Sequence, residues 1–545
     1  MTVVFTAHFL LPGYLYGQVL QLDSNEVRFG RVLTGQTKTL ELGFTNTSSQ
    51  SLNVRSLRLS DTSHFSVRLL DATVASGARG RIELMFYPDQ NVTYQRYLFL
   101  QLDRAPGTIP VLLRGSGRFE GNYYKNTRDL YDIPLRQALK QTVQSGALQL
   151  GYSDARDRMY MQIDNQKDNG QNASQNTIEC VYTGEQQTGY TDRRDAQSSN
   201  PRFNTEHTFP QSKYDSDEPM RSDLHHLFPT RVYVNSERSN HPFAEVNNAS
   251  FTAGGSRSNG REFEPRNAQK GPSARAMMYF VVRYQDYDNF YRPQENILLK
   301  WHRNFPPDEV EKQRNEDIFR YQKNRNPFVD HPEFMERMSS LVGASSRPNV
   351  RRAIISADTL RFGQVFPEDT QRCTLYVAAG GNQTLGLSNW RTSSDQFAVK
   401  EEASFLEPQE GLEGLLAVPL AFSGTQLGAN SATLSFLTTD ANNTQVEVAL
   451  EAEVIEPTGV DETARAKSSF YCSWQREKRI ACSWEGNPIE ALQVHTPDGR
   501  LLARDTYPGL RNKQQIAIKG NFSNENFLII SVHSENTTRS FKLMR

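Results

Sequence analysis

The sequence predicts a multidomain chain: an α+β central region between two all-β sandwiches, with a small all-β region at the C-terminal end. Three observations predict it. The chain has 545 residues, more than one hydrophobic core organises, so about three or four domains are expected. A pattern of short alternating apolar runs occurs twice, on either side of a central stretch. Within that stretch, 118–345, alternation gives way to helical spacing.

Residues 1–17, Met1 to Gly17, are apolar around Val3-Val4-Phe5 and Phe9-Leu10-Leu11. They lack a positively charged start and are interrupted by Pro12-Gly13, so they read as a signal peptide with a truncated beginning. Residues 18–117 form the first expected sandwich and 346–455 the second. Val27-Arg28-Phe29-Gly30-Arg31-Val32 recurs as Leu360-Arg361-Phe362-Gly363-Gln364-Val365, and His64-Phe65-Ser66-Val67 recurs as Gln396-Phe397-Ala398-Val399. In the first copy Leu40, Leu42 and Phe44 alternate, as do Ile82, Leu84 and Phe86, then Leu98, Leu100 and Leu102. The second copy offers Leu434 and Phe436, then Val446, Val448 and Leu450. Such period-two patterning, broken by Asn, Gly, Ser and Asp, predicts antiparallel strands with one buried face. Each copy has room for about seven strands.

In the central region, Met277, Phe280, Val281 and Tyr284 share one helical face, with Ser273 placed to cap the start. Pro306-Pro307-Asp308-Glu309 opens a second helix through Val310, Arg314, Ile318 and Tyr321, and Asp129 to Val143 is a third. The polar stretch 253–272 predicts a long loop, a feature that often carries function. Glu456-Pro457-Thr458-Gly459 begins a linker, 456–469. Alternation returns over 470–545, with Asp498-Gly499 as a hairpin turn and Phe527-Leu528-Ile529-Ile530-Ser531-Val532 as a buried strand.

Charge is almost balanced, with 61 Lys+Arg against 62 Asp+Glu, so binding of a polyanion through bulk charge is excluded. Any such binding needs a local basic face or a metal. Of four cysteines, Cys180 and Cys373 stand alone, whereas Cys472 and Cys482 each open a Cys-Ser-Trp triplet. That pair is either a hairpin disulfide or two buried thiols. No segment after the first seventeen residues is long and apolar enough to span a bilayer.

The chemistry concentrates between Phe203 and Phe243. Asn204-Thr205-Glu206-His207-Thr208-Phe209-Pro210-Gln211-Ser212 puts a carboxylate beside a histidine. Ser222-Asp223-Leu224-His225-His226-Leu227 adds a histidine pair, and Val234-Asn235-Ser236-Glu237-Arg238-Ser239-Asn240 a polar run. A histidine titrates near working pH and suits a general base. A carboxylate and an amide offer oxygen to a hard cation, and a guanidinium matches phosphate in a bidentate way. Each also has a bland reading. A lone Glu-His pair is common by chance, Asn235 can cap a helix, and Arg238 can form a helix-surface salt bridge. His225 and His226 suit packing roles, and Asp223 suits a hydrogen-bonding anchor.

The segment resembles the signature of the endonuclease I family. The resemblance extends upstream through Tyr152-Ser153-Asp154-Ala155-Arg156-Asp157-Arg158-Met159-Tyr160 and Glu179-Cys180-Val181-Tyr182-Thr183-Gly184. Downstream it takes in Ala274 to Tyr284 and the block from Gln322 to Phe334. It implies an α+β nuclease with a ββα-metal (His-Me finger) site, Glu206 and Asn235 as metal ligands and His207 as general base. The expected cofactor is Mg²⁺, or Mn²⁺ or Ca²⁺, weakly held at rest. Glu206 and His207, as strand neighbours, are expected on opposite faces, Asn235 at the opening of the motif's helix, and Arg238 on phosphate. The implied substrates are DNA and RNA, cut with little sequence preference to leave 5′-phosphates. Two departures stand out: Arg221 occupies a place that is acidic in some relatives, and Cys180 is alone in a region that some relatives bridge with disulfides.

The flanking copies resemble immunoglobulin-like modules of secreted bacterial proteins, as spacers, adhesion modules or stalks. The close Ser540-Phe541-Lys542-Leu543-Met544-Arg545 resembles C-terminal sorting domains read by the type IX secretion machinery. Together these imply a secreted or cell-surface enzyme. The competing expectation is an adhesion protein with an inactive nuclease-like domain.

Overall fold

The computed structural model describes residues 19–103, 106–284, 288–342, 350–408 and 414–456, and from 469 onward a set of strands. The expected signal peptide, the linker stretch 457–468 and the Asp498-Gly499 turn lie outside the described residues. The chain divides into two compact units, Met1–Gly424 with Ala429–Glu453, and Val454–Arg545 with Thr425–Gly428.

In the first unit each alternating region forms two sheets, one of four strands and one of five, with the same strand order in both copies. That is two strands more than the expected seven. The additions include Leu20–Leu22 and Thr73–Val74, edge strands too short to show a period. The sequence repeat has a packing cause. Phe29 lies 5.7 Å from Phe65, and Phe65 stacks 4.8 Å from Phe86. In the second copy Phe362 lies 5.3 Å from Phe397, which lies 4.6 Å from Phe422. The repeated Phe positions are thus the same aromatic nucleus between two sheets, where such pairs add to the burial of large apolar area.

The two sandwiches also touch each other. Gln101 donates to the Thr359 carbonyl at 3.0 Å, Arg58 pairs with Asp358 at 2.8 Å, and Phe99 stacks on Tyr376. At Gly107 (φ +73°) a Cβ would come within 3.1 Å of the Thr374 backbone nitrogen, so close approach and backbone conformation both require glycine. Fully buried Arg337 ties the first sandwich to the central domain. It donates to Asn91 Oδ1 and to the Thr127 and Leu130 carbonyls.

The central domain packs around the helix Asn267–Tyr284, whose Met277, Phe280 and Val281 are buried. This helix begins at Asn267 and runs through Pro272, so Ser273 is an interior residue and not the expected cap. Gly-Pro suggests a break locally. Here, however, Gly271 packs where a Cβ would meet the Phe305 carbonyl at 2.3 Å, and tertiary contact outweighs propensity. The stretch 253–272 is likewise not one long loop. It contains Ser256–Ser258, which pairs with Phe251–Ala253 on one side and with Phe263–Glu264 on the other in a small antiparallel sheet, and then the helix start. Glu309–Gln322 is a helix whose cap Asp308 accepts from the Glu311 amide at 2.8 Å. Asp132–Gln144 is another.

The second unit contains a three-stranded and a four-stranded antiparallel sheet. Its register sets Cys472 opposite Cys482; whether they are bridged concerns side chains outside the described residues. Cys180 and Cys373 are free and buried.

Candidate active site

The strand Phe203–His207 pairs antiparallel with Leu227–Arg231, setting Glu206 opposite Phe228 and His207 opposite Leu227. The helix Val232–Arg238 follows at once. Strand, strand and helix thus place Glu206, His207 and Asn235 on adjoining elements, and the segment between the strands returns to His207 through Gln211 and the Arg221 carbonyl.

Glu206 is 3% exposed. Its Oε1 accepts from the Tyr182 hydroxyl at 2.7 Å and faces Arg238 Nε at 3.4 Å. Both contacts fall on one oxygen, and Oε2 has no hydrogen-bond partner among the described residues. Burial pushes the Glu206 carboxyl above its usual range, while Arg238 and then Tyr182 pull it back. The group is therefore held in place yet short of positive charge.

His207 is 7% exposed and makes its contacts with other residues than Glu206 does, as strand neighbours must. Its Nε2 lies 3.2 Å from the Arg221 carbonyl and its Nδ1 3.2 Å from Gln211 Nε2. A carbonyl only accepts, so Nε2 carries the hydrogen and Nδ1 the lone pair. Burial, then the neighbouring His226 ring at 5.6 Å, holds the His207 pKa well below 6.5. The ring is neutral at pH 7 and ready to accept a proton.

Asn235 lies within the helix Val232–Arg238 and does not open it. The helix starts at Val232 because Arg231 is the last residue of the strand. The Asn235 side chain is half-buried and free of hydrogen bonds among the described residues, so it is not a cap either. Arg238 departs further from expectation. It is 0% exposed, donates to the His241 carbonyl at 2.6 Å and the Thr208 carbonyl at 2.9 Å, and lies over Phe243. A guanidinium committed to carbonyls and to Glu206 presents nothing to a substrate. Its contacts brace the helix end, the strand end and the carboxylate.

Asp223 is a buried anchor. Its Oδ2 accepts from Tyr279, Arg283 and Tyr284 at 2.9, 2.5 and 2.7 Å, and its Oδ1 from Gln322 at 2.7 Å. Burial works against the charge, yet Arg283 and the nearby histidines hold the carboxyl well below its usual range. His225 donates to the Asn324 carbonyl, and burial lowers its pKa to about 4. His226 donates to the Met220 carbonyl at 2.7 Å. Neither histidine contacts Glu206. Sequence reasoning passed over Tyr182 and Gln211, although both lie inside the segments that carried the family resemblance. Only their contacts reveal what they do.

A hard divalent cation fits this donor set. Glu206 Oε2 and the Asn235 amide oxygen are uncommitted oxygens, and a carboxylate pushed up by burial gains from a nearby positive charge. Among the described residues no group of three or more His, Cys, Asp or Glu side chains gathers at metal-binding spacing, so a cation here would draw its remaining ligands from water and substrate.

The comparisons agree on one class of protein, the phosphodiester hydrolases. The Endonuclease I family model matches residues 133–333. An extracellular ribonuclease of Bacillus amyloliquefaciens is 31% identical over 255 residues, 43% of this chain and 83% of that protein. An extracellular ribonuclease of Bacillus subtilis (strain 168) is 35% identical over 154 residues, 25% of this chain and 54% of that one. An extracellular deoxyribonuclease of Aeromonas hydrophila is 30% identical over 123 residues, 22% and 53% of the respective chains. The chain spans about half the length of these last two. It belongs to the Endonuclease I family.

Proposed function

We propose that the protein is a secreted, metal-dependent endonuclease that cuts DNA and RNA with little sequence preference. The observation that carries this reading is His207, buried and neutral, with its Nδ1 lone pair fixed by the Arg221 carbonyl beside a carboxylate that keeps one oxygen uncommitted.

In the reaction, water approaches His207 Nδ1 in place of the Gln211 amide and gives up a proton there as its oxygen bonds to phosphorus. The Nε2–H bond to Arg221 strengthens as the ring becomes cationic. The bond from phosphorus to the 3′ oxygen breaks, that oxygen takes a proton from solvent, and a 5′-phosphate remains. Glu206 and Asn235 would hold the cation, Mg²⁺ or alternatively Mn²⁺ or Ca²⁺, which supplies positive charge to the phosphate and the departing oxygen. Arg238 and Tyr182 keep the Glu206 carboxylate in position. Both nucleic acids are proposed because the relatives carry the names ribonuclease and deoxyribonuclease. Export accords with their extracellular and periplasmic descriptions, with type IX machinery acting through 470–545. An adhesion protein with an inactive catalytic domain gains no support from a site whose Glu206, His207 and Asn235 are all present.

The test is digestion of plasmid DNA and of RNA by the full chain in Mg²⁺, with and without EDTA. Fragments bearing 5′-phosphates, formed only without chelator, are expected. No degradation in Mg²⁺, or degradation indifferent to EDTA, overturns the reading.

A further inference from the structure

Tyr152 opens the helix Tyr152–Arg158, and Arg156 one turn later lays its guanidinium carbon 4.1 Å from the Tyr152 ring centre. Arg221, from the short turn Met220–Ser222 between the two strands of the site, brings its own to 4.2 Å from the same centre. The Tyr152 ring lies 5.7 Å from the His207 ring. Two like charges therefore share one aromatic ring beside the general base.

Neither guanidinium has a hydrogen bond or ion pair among the described residues, and the Nε of each is buried without a partner. The nearby acids are already committed. Asp154 pairs with Arg158, Asp157 with Arg193, and Glu218 accepts from Ser222. Asp223 is saturated within the core. Elsewhere in this domain half-buried or buried arginines find carboxylates: Arg275 with Glu311, Arg314 with Asp164, Arg325 with Asp330. Both residues are half-buried, which leaves the guanidinium tips to solvent. The two guanidiniums have no carboxylate partner among the described residues.

We propose that Arg156 and Arg221, steadied on Tyr152, bind a backbone phosphate of the nucleic acid next to His207. This takes over the phosphate role expected of Arg238, and it rests on the nuclease reading above. A guanidinium meets two phosphate oxygens at once. An anion between them relieves their mutual repulsion, and stacking on Tyr152 fixes them without consuming their donors. Arg221 then does two things: its carbonyl orients the base and its side chain places the phosphate that the base acts beside.

The experiment is anisotropy titration of a fluorescein-labelled, mixed-sequence DNA duplex with the full chain. A His207→Ala background with EDTA prevents cutting, and the titration is repeated over a series of KCl concentrations. Arg156→Gln and Arg221→Gln should each weaken binding on the order of tenfold and reduce the slope of log K against log salt by about 0.9. Arg156→Lys should keep the slope while losing part of the affinity. Arg156→Gln touches neither hydrogen bond of His207, so it tests the clamp even if Arg221→Gln disturbs the base. Affinity and slope unchanged in Arg156→Gln and Arg221→Gln, in protein with the parental melting temperature, overturn the proposal. A parent that binds DNA through these arginines yet does not cut it would instead sink the nuclease reading alone, so the two failures are distinct.

Discussion

Glu206 and Asp223 are both fully buried carboxylates facing an arginine, and the protein treats them in opposite ways. Asp223 engages four side-chain donors across its two oxygens and is held below the usual carboxylate range. Glu206 receives two contacts, both on Oε1, and is pushed above it. The cost of burying a charge is met in one place by donors and left partly unmet in the other. A satisfied buried charge is architecture; a partly unsatisfied one is what the proposed cation site requires. Asp223 knits the helix Asn267–Tyr284 to the segment between the strands, while Glu206 keeps one oxygen that no protein group engages among the described residues.

That contrast can be broken at several points. The largest effect belongs to the strand that carries Glu206. His207→Ala should lower kcat on the order of 10²–10⁴-fold with the urea midpoint unchanged, and a variant that digests plasmid at the parental rate removes His207 as the base. Next, Asp223→Ala strands the buried Arg283 charge and should cost about 3–5 kcal/mol in urea unfolding. A loss below about 1 kcal/mol would mean that the Asp223 network is not architectural. Glu206→Gln should stay within about 1 kcal/mol of parental stability while requiring far more Mg²⁺ for activity. An unchanged metal titration takes Glu206 out of the cation site.

The two carboxylates should also separate in pH. The Asp223 pKa is depressed by folding, so its contribution is present above its ordinary 3.8 and is lost as pH falls through the lower folded value. The Glu206 pKa is raised, so its contribution is greatest below 4.5 and is lost as pH climbs through the higher folded value. Stability of Glu206→Gln relative to the parent should therefore rise with pH above 4.5, whereas that of Asp223→Asn should fall as pH rises toward 3.8 and stay level above it. Parallel profiles would erase the distinction. The smallest effect is ligand stabilisation. Mg²⁺ at ten times its Kd should add about 1.4 kcal/mol to the parent and almost nothing to Glu206→Gln, as melting curves would report.

The acid limb of kcat/KM offers a further check on the same strand. His207 is held well below 6.5, so activity should persist under mildly acidic conditions and decline only well below pH 6.5. A limb at or above 6.5 would place the titrating base elsewhere.

Much of the fold was legible because its signals are local. The repeated Phe positions announced two regions of like strand order, because in each copy those rings pack together between two sheets. Asp308 announced its helix because a cap acts within three residues. The short edge strands, the helix running through Pro272 and the small sheet within 253–272 were not legible, because neighbours distant in sequence decide them.

The site divides along the same line. Sequence alone nominated the residues proposed to carry the chemistry, because Glu206 next to His207 is fixed by chain order and Asn235 by its motif. Tertiary structure decided what state those residues are in. The Arg221 carbonyl chooses the histidine tautomer, Tyr182 and Arg238 choose the committed oxygen of Glu206, and burial decides which arginine can meet a phosphate. Arg238 and Arg221 are the same residue type in the same forty-residue stretch. Only the fold could turn one inward onto carbonyls and leave the other half-buried beside Tyr152, because solvation and hydrogen bonding belong to position in space.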